Sequence, residues 1–177
     1  MNFRSDNTAG VAPEILAALA NVNEGAASAY GEDAWSRQLD QRFSELFEHD
    51  VRVFTLSTGT AANAISLASV VPPWGAILCH REAHIEVDEC GAPEFYSGGA
   101  KLVLMEGEGA KVDAAAVAEA ARRNERGIHS VKPAAVSISQ ANERGAVYRP
   151  EEIAAIGEVA RKEGLAFHVD GARFANA

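Results

Sequence analysis

The chain has 177 residues, with 16 Lys+Arg against 25 Asp+Glu and a formal net charge of −9. Its 47% apolar and 23% charged content excludes disordered and fibrous classes, and the length suits one domain with a sizeable core. The acidic balance argues against nucleic acid as main partner, and no apolar run reaches the roughly 18 residues of a membrane helix. At the amino end, Met1-Asn2-Phe3-Arg4-Ser5-Asp6 lacks a signal peptide's apolar core, so the expected address is the cytosol. Trp35, Leu39, Phe43 and Phe47 recur at helical spacing, one stripe of an amphipathic helix. Val51–Leu56 reads as a first strand, followed by a helix from about Ala61 to Val70. Further strands are predicted at Ala76–Cys79, Leu102–Met105, Ala134–Ser139 and Leu165–Val169. They are continuously apolar, as strands covered on both faces are. Asp113 is a plausible N-cap for a helix carrying Val117, Ala120 and Ala121 inward. Pro150 opens another, which buries Ile153, Ile156, Val159 and Ala160 and stops at Gly164. Cys79 and Cys90 are too few for a disulfide scaffold and are expected reduced.

Strand–helix–strand order of this kind predicts an α/β fold, a mostly parallel sheet sandwiched by helices, read as a single unit. No helix follows Leu165–Val169, so the domain reads as truncated at its carboxyl end, with its last strand at a bare edge. Ligands in such sheets bind outside the carboxyl ends of the strands, which selects four stretches. Ser57-Thr58-Gly59-Thr60 feeds a helix whose free N–H groups suit an anion, although it also reads as an ordinary cap and turn. His80 and His84 stand four apart with Glu82 midway, a poor match to zinc-protease spacing, and no metal is expected. Gln140–Gly145 reads as a turn. Asp170 ends a dry strand, where a carboxylate needs a partner. That partner is either Arg173 or His168 as a structural bridge, or a positive group on a ligand.

Taken together and in order, these pieces resemble the threonine aldolase family, pyridoxal-phosphate enzymes of the aspartate-aminotransferase fold. The matching segments are Arg4-Ser5-Asp6-Asn7-Thr8, Tyr30-Gly31-Glu32-Asp33, Thr58-Gly59-Thr60-Ala61-Ala62-Asn63, Ala83-His84, Glu89-Cys90-Gly91 and His168-Val169-Asp170-Gly171-Ala172-Arg173. The resemblance implies pyridoxal 5'-phosphate as cofactor, held by Ser57, Thr58, Gly59 and Thr60 at its phosphate. It implies His84 stacked on the ring and near the substrate hydroxyl, and Asp170 at the pyridinium nitrogen. Ser5 and Arg173 would clamp the substrate carboxylate, and Tyr30 would lie near a subunit boundary of a homo-oligomer. His84, His129 and Asp170 are the catalytic candidates, His129 by the looser match. The implied reaction cleaves threonine to glycine and acetaldehyde.

Two departures stand out. The family holds its cofactor through a lysine Schiff base one strand beyond the Asp-Gly-Ala-Arg motif, and the four lysines here, Lys101, Lys111, Lys132 and Lys162, fall elsewhere. The chain therefore reads as the amino-terminal part of the cofactor-binding large domain, without the last strands and the small domain. Gln140-Ala141-Asn142-Glu143 also replaces a Glu-Asn-Thr-His-type stretch common in the family. An inactive remnant acting as an interaction module, or a related β-eliminating lyase or aminotransferase, are the alternatives.

Overall fold

The computed structural model describes residues 8–123 and 127–177. Where the sequence reads as one unit, the chain divides into two compact ones, Met1–Thr55 and Leu56–Ala177. The first holds α1 (Pro13–Val22), absent from the predicted elements, and α2 (Leu39–Phe47). Pro13 opens α1 at a position where its lost N–H costs nothing. The Trp35 stripe is helical only from Leu39 on; Trp35 itself precedes a 3₁₀ turn at Ser36–Gln38. Phe43 and Phe47 meet at 6.1 Å between ring centroids, and all three aromatics are exposed in this chain.

The first predicted strand, Val51–Leu56, is not one. It pairs with no strand among the described residues, and side chains from the helical region take two of its backbone donors. Ser44 Oγ accepts from the Val51 amide at 3.1 Å and Asp40 Oδ1 from the Val53 amide at 2.8 Å. Asp40 also accepts from the Arg52 guanidinium at 2.7 Å.

The second unit opens with α3 (Gly59–Val70), then β1 (Gly75–His80), α4 (His84–Val87), α5 (Ala92–Tyr96) and β2 (Lys101–Met105). It continues with α6 (Ala114–Arg122), β3 (Lys132–Ser139), α7 (Pro150–Glu163) and β4 (Ala166–Asp170). The four strands are parallel, in the order β2-β1-β3-β4. Every residue of β1 is buried. Side chains alternate between sheet faces, so Leu78, Val136 and Ile138 join one core with Val117, Ile156 and Ala160 of α6 and α7. Ile77, Cys79 and Ala135 join the opposite core with Leu67 of α3. Two covered faces explain why the strands read as unbroken apolar runs. Asp113 caps α6 by accepting the Ala116 amide at 2.8 Å, and Gly164 ends α7 at φ 70°. β4 is an edge strand, with Val169 exposed.

Strand order also places the site. The chain goes from β1 to β2 on one side, then crosses back over β1 to β3 and continues to β4. Connections therefore diverge between β1 and β3, and the crevice outside their carboxyl ends is the default ligand position.

Candidate active site

Three polar side chains on three elements meet at the carboxyl edge of the sheet. Asp170, last in β4 and level with Ser139 of β3, is buried. Its Oδ2 accepts from Asn63 Nδ2 at 3.1 Å and its Oδ1 from the Ala172 amide at 3.1 Å. Asn63 lies on the buried side of α3, and the same amide nitrogen donates to Glu89 Oε1 at 2.9 Å. The Glu89 side chain has no solvent exposure, and its Oε2 has no hydrogen-bond partner. Burial raises the Glu89 pKa above the usual carboxylate range; the Asn63 hydrogen bond and His84 pull it back in part, and Asp170 adds to the rise.

Neither internal partner expected for Asp170 takes it. His168 pairs with Ser137 Oγ at 2.8 Å, and burial lowers its pKa against the smaller opposing pull of Asp170. Arg173 donates to the Ala141 carbonyl at 2.9 Å and reaches Glu143 Oε1 at 3.2 Å. Among the described residues, then, Asp170 has no salt bridge, and a buried carboxylate without a cation is a costly arrangement for an isolated fold.

The anion side of the site is one helical turn from Asn63. Thr58 is extended and its Oγ1 accepts the Ala61 amide at 3.1 Å, which starts α3 at Gly59. The Gly59 and Thr60 amides have no protein acceptor among the described residues, as expected of a helix's first turn. A Cβ on Gly59 would meet nothing within 4 Å, so the space before these amides is open. Ser57 and Thr58 are exposed beside it.

His84 opens α4, its side chain 31% exposed. Its Nε2 lies 3.9 Å from Glu89 Oε1, and its Nδ1 lies 3.6 Å from Asp88 Oδ2 and 3.7 Å from Glu143 Oε1. These separations exceed hydrogen-bond length, so three carboxyl groups surround the imidazole without fixing it. Glu143 thus links the loop after β1 to the loop after β3 across the crevice. Arg144 and Glu82 form a second link between the same loops.

The Gln140–Gly145 segment is a turn, as expected, but an anchored one. Gln140 exchanges hydrogen bonds of 2.9 Å with both backbone groups of Tyr148. Asn142 Nδ2 donates to the Gly109 and Ala110 carbonyls. Those two amides hold Glu143 in place, a function invisible in the string because its partners lie far along the chain.

A family model described as Beta-eliminating lyase matches residues 2–177. The chain belongs to the beta-eliminating lyase family. It is 45% identical over 175 residues to a low specificity L-threonine aldolase of Pseudomonas sp. (strain NCIMB 10558), covering 99% of this chain and 50% of that protein. Among solved structures, the threonine aldolase of Leishmania major superposes with a TM-score of 0.88 at 32% identity, over 96% of this chain and 49% of that one. An N-succinyldiaminopimelate aminotransferase from Mycobacterium tuberculosis shares the fold, with a TM-score of 0.55 at 22% identity, over 75% of this chain and 34% of that one. The chain spans about half the length of the curated relatives it matches.

Within this beta-eliminating lyase fold, the other expected site residues are not all gathered. Ser5 lies outside the described residues. Tyr30, at φ 61° beside Gly31 at φ 78°, is fully exposed in the first unit. His129 precedes β3 and so lies at the amino edge of the sheet. The eight residues of β3, at roughly 3.3 Å each, separate it from the carboxyl edge. Lys101 and Lys132 start strands at the amino edge, and Lys162 lies in the last turn of α7. Lys111 is engaged by Glu152 at 2.8 Å, a contact that holds the Glu152 carboxyl down to about 2. Asn63, Glu89 and Glu143 received no site role from sequence. Asn63 did carry a signal: it is a polar residue one turn into a helix of small and apolar neighbours.

Among the described residues, no helix is long and apolar enough to cross a membrane.

Proposed function

We propose that the protein carrying this chain is a pyridoxal-phosphate-dependent lyase that cleaves the Cα–Cβ bond of β-hydroxy amino acids, turning threonine or allo-threonine into glycine and acetaldehyde. The observation that carries the reading is a buried, cation-free Asp170 joined through Asn63 to the helix that starts with two open amides. A planar ring with a cationic nitrogen at one end and a phosphate at the other suits that pairing of sites. The high identity to a named L-threonine aldolase supports the choice of reaction.

Gly59 and Thr60 would receive the phosphate on their amides, with the Ser57 and Thr58 hydroxyls beside them. Asp170 would hold the ring nitrogen by a charge-assisted hydrogen bond. Bound there, the cofactor supplies a sink for the electron pair released at the substrate Cα. His84 would cover the ring and take the β-hydroxyl proton, since imidazole titrates near working pH. Asp88, Glu89 and Glu143 around it would stabilise the imidazolium that results. Arg173 would bind the substrate carboxylate by its guanidinium fork, exchanging Glu143 for the ligand. By the family resemblance Ser5 and Tyr30 would also serve the substrate. His129 would serve only from another copy of the chain, which fits a homo-oligomer. The lysine that anchors the cofactor would come from outside these 177 residues, so the chain is one part of the large domain. The cytosol is the proposed compartment.

The test uses protein made from the complete coding sequence. It should yellow with pyridoxal phosphate and release acetaldehyde from threonine in a coupled alcohol dehydrogenase assay. His84→Phe should keep the cofactor absorbance and lose turnover by about a hundredfold or more, the usual range for a general base. A protein that never shifts the cofactor spectrum, or yields keto acid without aldehyde, would overturn the reading.

A further inference from the structure

Glu89 and Asp170 present two carboxyl oxygens to one nitrogen, at 2.9 and 3.1 Å, and both residues are buried. Two negative charges so placed, stripped of water, repel strongly, and such pairs keep one proton between them. The donors decide where it sits. Asp170 accepts two N–H groups, one on each oxygen. Glu89 accepts the Asn63 amide on one oxygen, and its second oxygen is sealed from solvent without a partner.

Resting on the cofactor reading above, we propose that Glu89 is the proton-holding residue of this site, a neutral acid beside ionised Asp170 until a cationic ring settles on Asp170. The cation then balances Asp170 and removes the repulsion that kept the proton in place. The Glu89 O–H bond breaks, and the proton passes by way of His84 Nε2 to solvent, which leaves the imidazole neutral. His84 Nε2 stands 3.9 Å from Glu89 Oε1, a gap that one bridging water or a small shift closes. The groups facing Glu89 are few. His84 comes from the start of α4 and Asp170 from β4, while Asn63 and Thr60 of α3 contribute neutral dipoles. Burial, the largest influence, favours the neutral form of Glu89, as Asp170 does. Together they outweigh the Asn63 hydrogen bond, the His84 charge and the Thr60 hydrogen bond, which favour the charged form.

Glu89 is thereby a positioning residue: it sets the charge of the site before ligand enters and gives the His84 proton a second holder. Glu89→Gln is the direct probe, because an amide keeps the Asn63 hydrogen bond and the neutral charge but cannot release a proton.

The experiment uses protein made from the complete coding sequence and two ligands. One is pyridoxal phosphate; the other is its 4'-deoxy pyridoxine analogue, which has no aldehyde and needs no lysine. Calorimetry in two buffers of different ionisation enthalpy counts the protons exchanged on binding. At a pH where Glu89 is protonated in the free protein, wild type should release more protons on binding than Glu89→Gln, and its affinity should rise with pH above the ordinary carboxylate range, where the variant is flat. Glu89→Asp, which keeps a titratable group, should restore the slope. Equal proton counts in wild type and Glu89→Gln, with both ligands bound, would overturn the proposal. Infrared spectra of the free protein give a readout independent of binding. A protonated-carboxyl carbonyl band should be present in wild type and missing in Glu89→Gln, and a band missing from both overturns the proposal as well. Failure of the wild type to bind either ligand would instead strike the cofactor reading, leaving the infrared band to decide where the proton sits.

Discussion

Asp170→Asn is expected to weaken cofactor retention by roughly a hundredfold while leaving the fold intact. Truncating one side of a buried, hydrogen-bonded charge pair costs about 2–5 kcal/mol, and about 2.8 kcal/mol is a hundredfold in Kd. The shape is unchanged, so the α3 and β4 contacts survive. The asparagine oxygen can still accept one of the two donors Asp170 serves, the Asn63 amide and the Ala172 N–H. Its NH₂ then faces the other donor, and that lost hydrogen bond costs about 1 kcal/mol of stability. On the proposed reading turnover should fall further than binding, because the ring nitrogen would lose the anion proposed to keep it protonated. A second effect follows at Glu89, whose pKa Asp170 helps to raise. In the variant, the Glu89 carboxyl should titrate closer to the ordinary range. Fluorescence titration with pyridoxal phosphate, with threonine cleavage alongside, checks the first part. Unchanged affinity and rate in the variant would remove Asp170 from the ring nitrogen.

The strands were legible because burial on both faces leaves a strong trace. Gly75–His80 has no exposed residue, and a short apolar run between turns is the pattern such a strand leaves. Val51–Leu56 reads as a strand by its β-branched and aromatic content, yet Asp40 and Ser44 take two of its amides. A string shows apolar content and cannot show which acceptor wins a backbone donor. α1 left a readable mark, Pro13 followed by Ile15, Leu16, Leu19 and Val22, but its apolar side chains are exposed in this chain and mark no core. Within the site, Gly59-Thr60, His84 and Asp170 could be named because each sits where a strand or helix end must put it. Asn63 meets its two carboxyl partners across 26 and 107 residues of chain. Glu143 likewise reaches His84 and Arg173 only through the fold. Spacing along the sequence carries no information about such meetings. Gln140–Gly145 reads as a plain turn for the same reason, although Gln140 and Asn142 are buried and Asn142 is bonded to backbone 32 residues away.

Asn63→Leu is expected to cost more stability than any surface change in the molecule, about 1–3 kcal/mol for a buried acceptor left unsatisfied and more where that acceptor is charged. Leucine keeps the γ-branched shape of asparagine with larger terminal groups, so the single variant carries a packing change as well as the lost hydrogen bonds. It deprives Glu89 of its Asn63 hydrogen bond and Asp170 of one of two. Against a total stability of roughly 5–15 kcal/mol for an ordinary domain, that is a large fraction, and urea or thermal midpoints should show it plainly. The double variant Asn63→Leu/Glu89→Leu separates this cause from poor packing. Removing both partners of a buried polar contact is often near neutral where removing one is not, so the double variant should regain part of what the single one lost. A Glu89→Leu change that only adds to the damage would mean that α3 tolerates no leucine at position 63 for reasons of shape. A single variant within about 0.5 kcal/mol of wild type, the scatter of ordinary surface changes, would mean that the two carboxyls do not depend on this amide. The same amide would then be unable to tie the Gly59 turn to Asp170, the link on which a shared ligand site between them depends.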